Sequence, residues 1–207
     1  MTISIDVSWN QGKSKGKLVI DYDYTPKKIF EMPPEKIFAM QKMAQDSAQE
    51  GPPIIAKYEA YRKAFPKSLY AMVMHFQVLE FFQMKKQAAE IFLEMKKKFP
   101  DEVFTRCIAA EYMLKHKKLD EFPKAFRGVP VLKGAFPKRR RFFFEEVLMF
   151  HNLWGQFQTM KGDDNETGKH AAMIQMVMET FESFQSAQAG GPVESGDESV
   201  EISELHP

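Results

Sequence analysis

A phenylalanine followed by proline punctuates the chain at 65–66, 99–100 and 136–137, so one stop signal recurs at intervals of 34 and 37 residues. Proline drives the residue before it out of the α region, and each site therefore ends a helix. Inside that frame Phe92 stands 34 residues before Phe126, and Leu79 stands 34 before Met113. A period in the thirties, with proline after each second helix, is the mark of stacked helical hairpins. The spacing has a plain cause, because two helices of about a dozen residues and two short turns take about 34 residues. One such hairpin cannot hide its own apolar faces, whereas several in a row can.

The segment before the repeats has a different period. Ile3, Ile5, Val7 and Trp9 alternate with polar residues, and Leu18, Ile20, Tyr22 and Tyr24 do so again after the polar stretch Asn10-Gln11-Gly12-Lys13-Ser14-Lys15-Gly16. That pattern predicts a β-hairpin over residues 1–26. Two strands alone are marginal in water, so its apolar face is expected to lie on the helices that follow. Helical spacing begins at Met32, with Pro33-Pro34 in a first turn and Ile37, Phe38, Met40, Gln41 and Ala44 on the inner face. Gly51-Pro52-Pro53 breaks this helix, and a second runs from Ile54 to Phe65. Further on, Phe143, Val147, Phe150, Trp154 and Phe157 mark one face of a long helix. A polar loop is expected from Gly162 to Gly168. A closing helix follows, carrying Ala171, Ile174, Val177, Met178, Phe181 and Phe184 inward.

These residues resemble the tetratricopeptide-repeat family in degenerate form, over residues 34–137. In the unit from Tyr70 to Asp101, Ala88 takes the small place of the second helix, Phe92 the aromatic place and Pro100 the terminal place. Met72 stands where that family has tryptophan, and Phe76 where it has a small residue. In the next unit Ala110 and Phe126 fit, but Phe122 stands where alanine is usual. The earlier unit offers Phe38, Tyr58 and Pro66. The resemblance implies a mainly α fold, a right-handed stack of antiparallel helical hairpins (an α-α superhelix), here over residues 33–187.

Composition sets the outer limits. Hydrophobic residues at 44% and charged residues at 28% are the usage of a globular chain and exclude a wholly disordered one. The single cysteine, Cys107, excludes a disulfide framework. No apolar run reaches the ~20 residues of a membrane span, and the opening MTISIDVSWN lacks the form of a secretory signal, so the expected place is cytoplasmic, with no membrane partner. The net charge of +1 hides a split. Residues 189–207 carry −5 and no Lys or Arg, leaving +6 for the rest. This acidic tail, with Gly190, Gly191, Pro192 and Gly196, is too poor in apolar side chains to offset ordering entropy and is predicted to be disordered. Its acidity serves solubility, or masks a basic groove on the same chain.

Catalytic patterns are absent from this reading. Residues 12–17 lack the spacing and the Ser or Thr of a phosphate-binding loop. Residues 163–168 begin like a calcium loop, but Ile174 occupies the place of the bidentate glutamate. The five histidines show no zinc spacing, and His75 and His151 read as buried, hydrogen-bonded core residues. Cys107 reads as a small buried hydrophobe. No catalytic residue, cofactor or metal is expected.

The expected function is a non-catalytic protein–protein interaction module: an adaptor, assembly factor or chaperone-like binder. Its partner would be another protein or a peptide, acidic peptides included, held in a repeat groove. Tyr70, Phe76 and Tyr112 are the candidate groove residues. Lys85, Lys86, Lys117, Lys118, Arg139, Arg140 and Arg141 are the candidate charges. The alternative is nucleic-acid association through the basic clusters at 115–118 and 138–141, which near-neutral overall charge disfavours. The plainest reading of these clusters is a solvated surface that also complements helix dipoles.

Overall fold

Helices make up most of the computed structural model, which describes residues 2–9, 14–21, 31–189 and 201–202. By its contacts the chain divides into two compact units, 24–105 and 1–23 with 106–207, so the expected repeat stretch 33–187 runs through both.

The described part of the first unit has helices as its only regular elements. Pro33, extended at φ −63° and ψ 149°, leads into α1 (Pro34–Glu50). Gly51 ends α1 at φ 72°, a left-handed step open to glycine, while its N–H still reaches the Ser47 carbonyl at 3.1 Å. α2 (Ile54–Ala64), α3 (Leu69–Phe81) and α4 (Lys85–Lys98) follow. α3 packs against α1, α2 and α4, and so is apolar nearly all round, with Tyr70, Met72, Val73, Val78 and Leu79 all buried. Its start is secured by buried Ser68, whose Oγ accepts from the Ala71 N–H at 3.2 Å. Ile37 and Met40 of α1 are fully buried, but Phe38, expected on the same inner face, is 55% exposed. Position 38 lies about 100° round the helix from 37, at the edge of the buried stripe.

The three Phe-Pro stops share one backbone geometry. Phe65, Phe99 and Phe136 cap their helices at φ −125°, −135° and −126°, with ψ 65°, 52° and 63°. Each N–H still bonds the carbonyl four residues back, at 2.9, 2.7 and 3.0 Å. The following proline then forbids another turn. A fourth Phe-Pro, Phe122-Pro123, behaves differently: there the proline sits in the first turn of a helix and opens it. A second recurrence is invisible in the sequence. α3 and α5 (Val103–Lys115) are both 13 residues long and begin 34 residues apart. Each is followed by a non-glycine residue in the left-handed region, Gln83 at φ 59° and Lys117 at φ 57°. Each has the same closing bond, Met84 N–H to Leu79 O and Lys118 N–H to Met113 O, both 2.8 Å.

In the second unit the regular pattern breaks. Where a long second helix was expected there are two four-residue helices, α6 (Phe122–Ala125) and α7 (Leu132–Ala135), separated by Arg127 and Gly128, both with positive φ. Phe142–Phe143 (β3), the second of them expected to open the long helix, instead pair parallel to β2, and α8 (Phe144–Lys161) starts one residue later. The hairpin strands β1 (Thr2–Trp9) and β2 (Ser14–Asp21) run antiparallel, from Thr2↔Asp21 to Trp9↔Ser14. The sheet order is β3-β2-β1-β4, with β4 (Glu201–Ile202) parallel to β1. Ile20 is fully buried, while the expected apolar face of β1, the turn at 10–13 and the end of the expected hairpin at 22–26 lie outside the described residues.

α8 turns through Gly162 (φ 75°) directly into α9 (Asp164–Ala189). The polar loop expected through Gly168 is thus reduced to two residues, because Asp163 caps α9 by accepting from the Glu166 N–H at 3.1 Å. The tail expected to be disordered overlaps α9 at Ala189 and contains β4; residues 190–200 and 203–207 lie outside the described residues. The core of this unit is aromatic. The Phe122 ring lies 4.5 Å from Phe157 and 5.1 Å from Trp154, and Phe126 lies 4.8 Å from Phe150.

Candidate functional site

In the first unit α2, α3 and α4 enclose a cleft of about 360 Å³. The helical period places Glu59 and Arg62 of α2 on one wall and Glu90 and Glu94 of α4 on the other, above a floor containing Leu79 and Ile91. Arg62 Nη1 donates to Glu94 Oε2 at 2.7 Å and ties the walls together. Glu94 also receives Lys98 Nζ at 2.7 Å, and Glu59 receives Lys63 Nζ at 2.7 Å. The lysine bond and then the nearby cations hold the Glu94 carboxyl below its ordinary range. With those two lysines at the rim, the charge of the cleft is nearly balanced.

His75 of α3 lines the same cleft and is 5% exposed. Burial, helped by the Arg62 charge, lowers its pKa to about 4, so the ring is neutral near pH 7. Its Nδ1 and Arg62 Nε have no hydrogen-bond partner. The expectation of a buried histidine fits, while the hydrogen bond expected with it is not made at Nδ1. The cleft therefore offers an apolar floor and polar walls, with two buried polar atoms whose bonds are unmade.

The ten residues singled out from the sequence fall elsewhere, and none of them lines the cleft. Tyr70 is 4% exposed, and burial pushes its hydroxyl up to about 12, so its reading as a groove residue is corrected to interior packing. The period of 3.6 could not tell its face, because α3 is buried on most of its faces and only Gln77 and Phe81 are left exposed. Phe76 is half-buried, its ring 6.3 Å from Phe92. Tyr112 is half exposed and lies against His116 at 4.1 Å. Lys85 and Lys86 are exposed in the first turn of α4. Lys117 is the left-handed residue after α5, and Lys118 approaches Glu121 at 3.8 Å. Arg140 and Arg141 are exposed. Arg139 is not a surface charge: its Nη2 donates to the buried Glu146 carboxylate at 2.8 Å, and its guanidinium covers the Phe142 ring at 5.4 Å. The structure places Tyr70, Phe76, Lys85 and Lys86 in one unit and the other six in the second.

The cleft residues carried a signal that the sequence reading passed over. Arg62 and Glu94 are opposite charges on successive second helices, separated by nearly one repeat period. Other groups with titratable or nucleophilic atoms lie outside the cleft. Cys107 is fully buried, which pushes its thiol up and away from the reactive thiolate. His151 of α8 and His170 of α9, 19 residues apart, meet Nδ1 to Nδ1 at 2.9 Å in the second unit. Among the described residues no three His, Cys, Asp or Glu side chains are placed to hold a metal ion, and no helix is long and apolar enough to cross a membrane. No family model, curated protein or solved structure matches this chain.

Proposed function

We propose that the chain is a non-catalytic interaction protein of degenerate tetratricopeptide-repeat type, an adaptor, assembly factor or chaperone-like binder in the cytoplasm, stacking helical hairpins to offer a docking groove. The observation that carries this reading is the recurrence of one helix-and-cap unit at 34 residues. α3 and α5 match in length, and their left-handed caps Gln83 and Lys117 match in position. Such units exist to stack, and stacks bind by their surface. The docking place is the α2–α4 cleft. Its balanced charge favours a partner segment that inserts an apolar side chain over Leu79 and Ile91, rather than the acidic peptide that the lysine clusters suggested. The nucleic-acid reading is the weaker one, since Lys115, Lys118 and Arg139 each engage a carboxylate of this chain.

The test is parallel capture by the full chain and by a Glu59→Lys/Glu90→Lys variant whose folding is checked by circular dichroism. A protein held at fixed stoichiometry in high salt, and lost with the variant, supports the reading. Nucleic acid released by salt, or a partner retained equally by the variant, overturns it.

A further inference from the structure

The contact between His151 and His170 has a chemistry that packing alone does not require. Both rings are 5% exposed. Their Nδ1 atoms are 2.9 Å apart, so one ring donates an N–H and the other accepts. A bond of that kind exists only while the acceptor ring is neutral. Both Nε2 atoms are buried without a partner. The surroundings are aromatic. Phe150 lies 5.2 Å from His151, and the Trp154 ring lies nearly parallel to His170 at 6.1 Å.

Little charge faces the pair. On α9, Glu166 and Lys169 act on His170 with opposite signs, and they are bound to each other at 2.7 Å. Besides burial, what lowers the pKa of His151 of α8 is the neighbouring ring of His170, which disfavours a second positive charge. Glu145, half-buried with its Oε2 shut off from solvent, sits six residues before His151 on α8, toward the end where Phe144 stacks on Phe181 at 4.5 Å. The turn at Gly162 lies at the other end, so the hairpin has an aromatic clasp at one end and the histidine pair nearer the loop.

We propose that the His151–His170 contact is an acid-sensitive latch that holds the first turns of α9, Asp164 to Ile174, onto α8, and that opens when both imidazoles take up protons. A first proton on the free Nε2 of the donor ring places an imidazolium among aromatic rings with no carboxylate bonded to it. A second, on the acceptor Nδ1, sets two N–H groups against each other and removes the bond. Opening lets water solvate both cations. The Phe144–Phe181 clasp keeps the far end of the hairpin, and Glu145, in place. Burial lowers both pKa values in the closed form, to about 3 for His151 and about 4 for His170, which keeps the pair neutral until it opens.

The magnitude follows from two protons. A ring released below its ordinary pKa of about 6.5 multiplies the open population by about 10 between pH 7.5 and 5.5, and two rings multiply it by about 100. Hydrogen exchange of the full chain, corrected for the intrinsic effect of pH on exchange, reads this directly. Amides of Asp164–Ile174 are expected to lose about 100-fold in protection, while those of α4, in the unit with the single buried ring His75, lose at most about 10-fold. The His151→Leu/His170→Leu variant should abolish the response. His170→Gln, which keeps a donor for His151 and removes one titrating ring, should cut it to about 10-fold and guards against a double variant that fails to fold. A loss below about 10-fold in the natural chain, or the full response retained in either variant, overturns the latch.

Discussion

Removing Glu146 tests whether Arg139 serves the fold or a partner. Glu146 is 2% exposed, and its Oε2 accepts from Arg139 Nη2 at 2.8 Å and from the Phe143 N–H at 2.9 Å. The carboxylate thus joins the arginine after α7 to the junction between β3 and α8. Glu146→Ala takes the acceptor from a buried backbone N–H and the counter-charge from a guanidinium that is only 20% exposed. Breaking a buried pair of this kind costs about 3–5 kcal/mol, a large part of the ~5–15 kcal/mol that holds a domain together. Glu146→Gln keeps a neutral acceptor and should cost about 1–2 kcal/mol, the difference between charge-assisted and neutral hydrogen bonds. Arg139→Ala should match the loss in Glu146→Ala, because it strips the guanidinium from a buried carboxylate. The two losses should not add, since both report one contact. The assay is urea unfolding followed by tryptophan fluorescence. Both tryptophans, Trp9 and Trp154, belong to the unit that contains Glu146, so the signal reports that unit. With a slope of about 2 kcal/mol per molar urea, the midpoint should fall by about 2 M. A loss below about 1 kcal/mol for Arg139→Ala would refute the reasoning and return Arg139 to the pool of partner-binding charges.

Two further outcomes follow from local chemistry. In the tryptophan-bearing unit, His151 and His170 have pKa values lowered in the fold to about 3 and about 4, so their contribution is complete above about pH 6.5 and fades as pH falls toward those values. Glu145, raised to about 7 by burial, works the other way, with its contribution complete below about pH 4.5 and lost as pH rises to 7. Two rings outweigh one carboxyl by about one proton, so the unit should gain about 1.4 kcal/mol between pH 5 and 6, and a urea midpoint that falls over that step contradicts the assignment. Gln83→Gly and Lys117→Gly relieve non-glycine residues at φ 59° and 57°, and each should raise stability by about 1 kcal/mol; a lower melting temperature for either variant refutes the cap assignment.

Local sterics were legible from the start. Phe65, Phe99 and Phe136 end helices because proline follows each of them, a constraint that acts within two residues and needs no tertiary contact. The stripe Val147, Phe150, Trp154 and Phe157 was readable for the same reason, since helical period alone lines those residues up and all four are buried. The left-handed caps were not readable, because Gln83 and Lys117 have no preference for that region and are held there by the closing bonds of their helices. Nor was the helix that gave way to α6 and α7.

What tertiary structure alone decided is where chemistry that looks alike ends up. Arg139, Arg140 and Arg141 are equivalent as a sequence; one is half-buried on Glu146 and Phe142 while its two neighbours are exposed. Phe142 and Phe143 satisfy a helical pattern, yet they pair with a strand more than a hundred residues earlier in the chain. His151 meets His170 across a helix–helix contact that no local period encodes. A residue's own backbone and its nearest neighbours set where an element begins and ends. Burial, pKa and pairing depend on which distant segment supplies the other wall, and that is settled only when the whole chain has packed.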